Sequence, residues 1–513
     1  MMGKIREHKT IAEEEKARGE EEAFLPGSVE KKRLNDLGDD NLALVLSFLS
    51  PSEVGQCACV SRRLRGLCKD DSKVWLQMCE RSWGRRTCVK RWGKGRVCLR
   101  VLHGVLLRWE KVIGFWRGIG NKGRGCLVDF EWGTHFILGF KVLPATCGSY
   151  GVCKIPFLWI GVSSDGSDLC FVDRHAYKDP CYSANEIMQS LRDAPVIQRD
   201  QFEKIGFDTE TAVSMGLTMV NVHFIGINHL LMEEMHQQKL AGKRLSLAEA
   251  ATVTSFGSSS QLGNNSHPSR VGGFEVYKSG CSPPGSFPYE MYHFLASKVT
   301  SAGGDTAERR QMRRDRMRAL SQGKQLPEPE YFVKVLQCTP TKTRPLQGLW
   351  KGLCHCMSLD FILLSYDEQG GIVCRKIKEC SGIASGGPVY WTARPPICSN
   401  VPLSPEEQGF YDNCLHVKPR ILGKVPEMLG PGNLTNADHI DNFMAEEVVG
   451  MLHVTPDRDH CCFLSNITSE QCKEGRVWLY ESGRFGYGVL HTNSITDFRL
   501  ITSRGCLLDV VDK

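Results

Sequence analysis

Three groups of residues in this chain combine types and spacings that chemistry can use, and the first is rich in glycine. Gly118, Gly120 and Gly123 fit the G-x-G-x-x-G pattern of dinucleotide-binding loops, in which a strand precedes the loop and a helix follows it. Here the strand-like residues Cys126 to Phe130 follow instead. We therefore interpret the motif as a glycine-rich hairpin loop.

The second group gathers metal-capable side chains between Asp457 and Cys462, where the sequence reads Asp-Arg-Asp-His-Cys-Cys. It follows Pro456 and precedes an apolar run, which is typical of a polar turn, whereas a metal site needs ligands spaced so that they converge. The 23 cysteines do not supply two facing C-x2-C pairs. Serine-hydrolase, zinc-protease and P-loop motifs are also missing. The sequence thus predicts no catalytic residue, no metal ligand and no cofactor.

The third group is a stretch of arginines at positions 309, 310, 313, 314, 316 and 318. Three interpretations stay open: a solvated helix face, a nuclear localisation signal, or a patch for acidic partners. Aromatic residues are absent from 307–320, so bases would have no stacking platform and nucleic-acid binding is not expected.

Composition narrows the class of protein. A chain of 513 residues is expected to hold two or three domains, and 41% hydrophobic with 24% charged residues is typical of a soluble globular protein. The net charge of +6 is small for this length and does not indicate nucleic acid. No apolar run is long enough to cross a membrane, and no signal peptide is recognisable. We expect a reducing compartment, the nucleus and/or the cytoplasm, with most thiols buried.

The elements nearest the N-terminus are helical. Four apolar residues share one face of a short helix because they recur at helical spacing: Leu42, Val45, Leu46 and Leu49. Asp39 or Asp40 is expected to cap its start, and Ser52 to cap a second helix. A third helix is predicted from Ser61 to Cys68. So small a helical core needs a partner or a neighbouring domain.

Residues 34–82 resemble an F-box. The matching positions are Leu37, Leu46, Leu49, Pro51, Val60, Arg63, Leu64, Val74 and Trp75. Gly38 departs from the family, which usually has Pro there. The resemblance implies that the chain binds the Skp adaptor of a Skp–cullin–F-box ubiquitin ligase, and through it cullin, and presents a protein substrate. The expected adaptor-binding residues are Leu37, Leu42, Val45, Leu46, Leu49, Pro51, Val54, Val60, Leu64 and Trp75.

Strand patterns dominate the rest of the chain. Residues with strand propensity recur in 130–143, 157–162, 169–172, 361–366, 372–377, 476–481 and 484–489. We predict one barrel-like sheet system split by an insertion, since closure would remove the free edges of each block. Within the insertion, 227–240 and 246–252 indicate helix, and 255–288 indicates a loop.

These patterns give a predicted fold class and a set of boundaries. The class is α+β: a three-helix F-box, then a mainly antiparallel β-barrel-like domain with a partly helical insertion. The predicted segments are a charged disordered tail 1–33, the F-box 34–82, a helical linker 83–112, the first barrel part 113–180, the insertion 181–330, the second barrel part 331–502 and a C-terminal tail 503–513.

A second resemblance concerns the barrel. Residues 345–352, 359–366, 474–478 and 485–489 look like the C-terminal domain shared by certain plant F-box proteins and an animal F-box-only protein that binds D-type cyclins. In that family the domain is a β-barrel that captures substrate. The expected substrate-binding residues are Trp391, Tyr480 and Arg484. Tyr480 and Arg484 flank a hairpin tip and are expected to face a partner, while Trp350 and Trp478 are expected to be core residues.

The predicted function follows from both resemblances. The chain is expected to be a non-catalytic substrate receptor whose partners are the Skp adaptor, cullin and a protein substrate, with no nucleic acid and no membrane. Two alternatives stay open: a non-catalytic scaffold that binds the adaptor without delivering a substrate, and a metal- or thiol-dependent enzyme on the β domain.

Overall fold

A computed structural model describes part of the chain. The described residues are 37–119, 126–145, 148–173, 207–225, 228–234, 330–336, 339–354, 357–367, 369–377, 389–394, 403–417, 419, 446–456, 474–489, 493–503 and 506–511. Several sequence features lie outside these ranges: the tail 1–33, glycines 120 and 123, and the segments 246–252, 255–288, 309–318 and 457–462. The chain divides into two compact units, Met1–Gly84 and Arg85–Lys513.

The first unit is helical. Its elements are α1 Asp39–Leu46, α2 Pro51–Val60, α3 Arg62–Lys69, a π-helical turn Asp71–Trp75 and α4 Leu76–Trp83. α3 begins where predicted, because Ser61 Oγ accepts from the backbone N–H of Leu64 at 3.1 Å.

Two predicted helix caps are wrong. Gly38 precedes α1 without a side-chain cap, while Asp39 and Asp40 form ion pairs with Arg63 and Lys73, each at 2.8 Å. α2 is capped by Ser50 in a capping box with Glu53 rather than by Ser52. Pro51 occupies the first helical position, where its missing N–H costs nothing. The helix therefore begins two residues closer to the N-terminus than a cap at Ser52 would place it.

The second unit consists mainly of antiparallel strands with a few short helices. Its helical elements are a 3-10 segment Val89–Gly95, α5 Leu99–Trp109, a 3-10 turn Glu110–Val112, α6 Thr209–Ser214 and α7 Pro405–Asn413. The predicted α+β class, with a helical F-box region before barrel-like antiparallel sheets, is confirmed.

Eight strands close into a first barrel. They are β1 Gly114–Ile119, β2 Leu127–Trp132, β3 Ile137–Pro144, β4 Val152–Val162, β5 Asp168–Val172, β6 Thr218–Ile225, β7 His229–Glu234 and β8 Glu330–Lys334. β8 pairs with β7 and also with β1, where Gly118 lies opposite Phe332.

The later strands form a second sheet. They are β9 Gly348–Leu353, β10 Leu359–Tyr366, β11 Ile372–Lys376, β12 Val389–Ala393, β13 Leu415–His416, β14 Val448–Pro456, β15 Gly475–Tyr480, β16 Phe485–Val489 and β17 Ser494–Leu500. β17 also pairs with β9, which closes this sheet. A small ribbon follows, formed by β18 Thr502–Ser503 and β19 Cys506–Leu507.

The predicted single barrel is therefore wrong: the first block closes with β6 and β7 from the predicted insertion and with β8, and the second block closes separately. The helix expected over 227–240 is wrong as well, since β7 occupies His229–Glu234. β6 pairs with the edge of β5, β7 pairs with β6, and β8 pairs with β7 and closes the barrel against β1. Pairing with neighbouring strands has outweighed local helical propensity here.

Aromatic side chains fill the second barrel. The ring centroids of Trp350 and Phe485 lie 4.9 Å apart, and those of Phe485 and Phe498 also lie 4.9 Å apart. A Cβ at Gly352 would meet the Phe498 ring at 2.6 Å, so glycine is needed there. This interior is a packed core of the kind that small barrels have.

The two barrels pack against each other. Apolar residues from both build one cluster, which includes Phe115 and Leu127 of the first barrel and Leu349 and Phe361 of the second. Arg117 adds a bond across the interface, where its Nε donates to the Ile377 carbonyl at 3.0 Å. The barrels therefore share a continuous apolar interface.

The C-terminal strap, residues 506–511, ties the barrels together, although a tail was predicted over 503–513. In the first barrel, the Val152 N–H donates to the Asp509 carbonyl at 2.9 Å, and the Val511 N–H donates to the Val152 carbonyl at 2.9 Å. In the second, Lys351 Nζ lies 2.9 Å from the Leu508 carbonyl and 2.9 Å from Asp509 Oδ2. The Lys351 side chain is fully buried, and burial lowers its pKa. The local sequence does not predict these polar contacts, although it does predict strands from the alternation of apolar residues.

We expect Asp509→Asn to lower the free energy of unfolding by about 1–3 kcal/mol, because it leaves a buried ammonium without its carboxylate. Asp509 has a φ of 57°, a left-handed conformation that asparagine also tolerates, so the backbone is preserved. Thermal and denaturant unfolding measure the effect. Adding Lys351→Met should restore most of the loss, and the exposed change Glu481→Gln is the matched control. Equal stability of Asp509→Asn and wild type would contradict a role of this ion pair.

Candidate functional site

α1 and the turn that follows it have apolar side chains on two opposite sides. Leu42, Ala43 and Leu46 are buried. Leu44, Val45 and Phe48 are exposed by 48%, 49% and 67%, and their spacing of three and four residues places them along one stripe. We call these three side chains the apolar surface. A contiguous exposed apolar stripe on a helix is typical of a docking site for another protein.

Two further features of the helical unit concern its exposed side chains. Val60, at the end of α2, is 75% exposed. The Arg81 guanidinium carbon lies 4.5 Å from the centroid of the Phe48 ring, a cation–π contact that orients the ring. The exposed side of α1 is thus partly preformed.

The ten residues predicted to bind the adaptor fall into three groups. Leu42, Leu46, Val54 and Trp75 are buried, and Trp75 Nε1 donates to the Cys68 carbonyl at 2.9 Å. Leu37, Leu49 and Leu64 are half-buried, and Val45, Pro51 and Val60 are exposed. The expectation that the first four offer a contact surface is wrong, because they form core. Whether the other six contact the adaptor stays a prediction.

The sequence reasoning missed Leu44 and Phe48. Their signal was present, since they lie four residues apart and are offset from the stripe that includes Leu42 and Leu46. A helix with two apolar stripes indicates one face for its own core and one for a partner.

The residues predicted to bind substrate are mostly core. Trp391 is fully buried inside the second barrel, with its ring stacked 6.0 Å from Tyr487. Tyr480 is 4% exposed, so the expectation that it faces a partner is wrong. Arg484 stays partly exposed and pairs with Glu446 at 3.0 Å. Trp350 and Trp478 are buried, as predicted.

α7 explains why Tyr480 is covered. Alternation along β15 directs Trp478 and Tyr480 outward from the barrel, and α7 covers that face: its Phe410 and Tyr411 rings lie 5.8 Å and 5.4 Å from Trp478. Arg476 pairs with Glu407 of the same helix at 3.0 Å. The outer face of β15 is therefore buried, because α7, which lies far away in the sequence, packs on it.

A polar group lies under this helix. Asp497 Oδ1 accepts the Tyr480 hydroxyl at 2.8 Å, and Asp497 Oδ2 lies 3.0 Å from His416 Nδ1. Burial raises the pKa of Tyr480, and the negative charge of Asp497 adds to that rise. Asp497 joins β17 to β13 and β15 through side-chain bonds, which is a structural role.

Of the glycine motif, Gly118 alone lies among the residues whose main chain and burial are both described. Its N–H donates to the Cys126 carbonyl at 2.9 Å between antiparallel β1 and β2, the pairing that the predicted hairpin requires. Among the described residues, no group of three or more His, Cys, Asp or Glu side chains is arranged to hold a metal. None of the helices in the described part of the chain has the length and hydropathy needed to cross a bilayer.

Comparison with known proteins agrees with this geometry. Residues 34–81 match the F-box-like family model. The chain is also 34% identical to an F-box protein of Arabidopsis thaliana over 485 residues, which cover 93% of this chain and 97% of that protein. The chain belongs to the F-box protein family. The helical unit of this F-box protein is an adaptor-binding domain of the Skp-dependent type.

The similarity extends well beyond the F-box, since it spans almost the whole of both chains. The residues that form the two barrels of this F-box protein therefore lie largely within the region of similarity. The predicted resemblance of the β region to a cyclin-D-binding domain stays a prediction.

We expect Gly38→Pro to raise the free energy of unfolding of the F-box by about 0.4–1 kcal/mol, because it removes freedom from the unfolded chain. Gly38 has φ −63° and ψ 155°, which suits proline, and an added Cβ would have no atom within 4 Å. Denaturant unfolding measures the change. Gly55→Pro, in the interior of α2, is the contrasting control and should destabilise. A destabilised Gly38→Pro variant would show that proline does not fit the backbone conformation that precedes α1 in this chain.

We expect Tyr480→Ala to destabilise the second unit by about 3–5 kcal/mol, because it empties an aromatic position in a packed core. Arg484→Ala, four residues away and partly exposed, should change stability by less than about 1 kcal/mol. Thermal unfolding of both variants makes the comparison. Equal melting temperatures would show that Tyr480 is not part of the core that α7 covers.

Proposed function

We propose that this F-box protein is the substrate-receptor subunit of a Skp–cullin–F-box ubiquitin ligase. The observation that carries the proposal is the apolar surface on α1 and the turn after it. Leu44, Val45 and Phe48 are exposed in the free chain, although burial of each such side chain contributes about 1.5–3 kcal/mol. A Skp-type adaptor that covers this stripe would supply the burial that the small helical unit lacks.

The proposed mechanism is proximity. The adaptor connects the F-box to cullin, and the two-barrel unit holds a protein substrate near the ubiquitin-charged enzyme. Holding two reactants together raises their effective concentration and needs no catalytic side chain from the receptor. Closed, packed barrels suit this task because a rigid receptor loses little conformational entropy on binding. We place this activity in the nucleus, the cytoplasm or both.

The substrate is held by the second unit in this proposal. The support is that the similarity to the Arabidopsis F-box protein covers this unit together with the F-box. Arg484 is the one predicted substrate residue that stays partly exposed, so it is a candidate contact. The proposed likeness to a substrate-capturing cyclin-binding domain belongs to the same hypothesis.

Two other functions compete with this one. A scaffold would bind the adaptor but deliver nothing, so proteins captured by the chain would keep their abundance when the chain is lost. A metal- or thiol-dependent enzyme would turn over a substrate without cullin. Proximity labelling with the proteasome inhibited, followed by measuring the abundance of captured proteins after loss of the chain, distinguishes the receptor from both.

We expect Val45→Asp combined with Phe48→Asp to abolish co-purification of the Skp adaptor, because two carboxylates in an apolar interface each cost several kcal/mol (about 2–7). Stability should stay near wild type, since both side chains are exposed in the free chain. Pull-down of the adaptor and thermal unfolding are measured together.

The matched control for this experiment is Val213→Asp combined with Leu415→Asp, the same kind of change at side chains exposed by 59% and 77% in the second unit. It should leave adaptor binding intact. Leu46→Asp should instead unfold the helical unit, because Leu46 is buried. Normal adaptor binding by the folded Val45, Phe48 variant would refute the apolar surface as the docking site.

A further inference from the structure

The start of the second unit carries a concentration of positive charge. Residues 85–109 contain eight Lys and Arg and no Asp or Glu. Since the whole chain has a net charge of +6, the rest of the molecule is net negative. Solvated faces normally mix charges of both signs, and cations crowded together repel each other. This stretch is therefore an electrostatic exception within the chain.

The structure turns this stretch into a surface. The seven cations between 85 and 100 are all exposed: Arg85, Arg86, Lys90, Arg91, Lys94, Arg96 and Arg100. We call them the basic surface. The residues between them that point inward are uncharged, among them Thr87, Trp92 and Val97. All of the charge therefore faces solvent.

The segment is held firmly against the first barrel. Thr87 Oγ1 lies 2.8 Å from the Gly133 carbonyl and accepts from Trp92 Nε1 at 2.9 Å. The Trp92 ring meets Trp132 edge-on at 6.3 Å. A Cβ at Gly93 would lie 2.8 Å from the Ser163 carbonyl, so the turn sits close to the barrel. A surface fixed in this way loses little entropy on binding.

Carboxylates within the molecule neutralise only part of this charge. Arg86 pairs with Glu110 at 2.8 Å, and Lys94 pairs with Asp208 at 2.6 Å. In the described part of the chain, Arg85, Lys90 and Arg96 have no carboxylate partner. Three cations of the basic surface thus remain available to an external anion.

We infer that the basic surface binds an acidic segment of a protein substrate and recognises its carboxylate or phosphoryl groups. The inference rests on the proposed role as a substrate receptor and names the chemistry of that substrate. Five of the seven cations are arginines, whose planar forks bind carboxylate and phosphate through two parallel bonds. Clusters of arginine are a recurring means of recognising acidic and phosphorylated motifs.

A nucleic acid fits this surface less well. Single strands are held by exposed aromatic side chains on which bases stack, and the one aromatic residue in 85–100, Trp92, is 1% exposed. A duplex would be bound through its phosphates alone, with a steep dependence on salt and no sequence preference. We take the acidic peptide as the ligand and use a DNA duplex as the competing probe.

The test uses the full chain in complex with its adaptor and three fluorescent probes: a glutamate-serine peptide, the same peptide with its serines phosphorylated, and a DNA duplex of comparable charge. Anisotropy should show binding of one or both peptides that weakens with salt. Lys90→Glu with Arg96→Glu should reduce peptide affinity by about tenfold or more. Tighter binding of the duplex than of both peptides at the same salt would overturn the inference.

A matched control separates specific from bulk charge effects. Lys342→Glu with Arg394→Glu makes the same change in net charge at exposed residues elsewhere in the unit and should leave peptide affinity within about twofold. Equal losses in the two double variants would overturn the inference. If Lys90→Glu with Arg96→Glu fails to fold, Lys90→Gln with Arg96→Gln should show a smaller loss in the same direction.

Adaptor pull-down distinguishes failure of this inference from failure of the proposed function. Both charge variants should keep the adaptor, because the apolar surface is unchanged. If the Lys90, Arg96 variants keep both the adaptor and normal peptide affinity, the inference about the basic surface is wrong and the proposed receptor function is unaffected. Absence of adaptor binding in the wild-type chain removes the proposed receptor role and leaves the peptide result to stand as a property of the second unit.

Discussion

β8 pairs with β7 on one side and with β1 on the other, and this double pairing removes both free edges from the first barrel. The pairing of β17 with β9 does the same for the second sheet. A free strand edge exposes N–H and C=O groups that invite other chains to pair. Once both rings are closed and aromatic side chains fill the second, binding has to use the outer surfaces, the loops and the helices. The interface between the barrels then depends on side chains such as Arg117, which reaches across it, while Lys351 binds the C-terminal strap.

The parts of this architecture that the sequence predicts are those with local causes. The helical periodicity around Leu46, the third helix that starts beside Ser61 and the hairpin after Gly118 all depend on residues close together in the chain. The F-box family match agrees with the segment predicted from that pattern. The two-barrel arrangement was missed because it depends on β1 recognising β8 across a long stretch of chain. Short strands do not carry the identity of a distant partner in their own residues.

The candidate sites show the same limit at the level of single side chains. Alternation along β15 directs Tyr480 away from the barrel interior, but α7 covers this side of the strand and buries Tyr480. The local sequence of β15 contains no pattern that predicts this covering helix. Leu42 and Leu46 are core, while Leu44 of α1 and Phe48 in the turn after it are exposed. These positions were not separated from the sequence because two apolar stripes so close together look like one wide stripe. The basic segment after residue 84 is visible in the sequence, but only the structure shows that all seven cations from Arg85 to Arg100 are exposed.

The order in which the strands of the first barrel appear has a consequence during synthesis. β1 ends at Ile119, and β8, which closes the ring against it, begins at Glu330. A ribosome needs about 10–40 s to make the intervening chain. For that interval one edge of β1 faces the crowded surroundings of the nascent chain without its partner. The protein is thus expected to depend on molecular chaperones at the ribosome, and more so at low temperature, where elongation is slower.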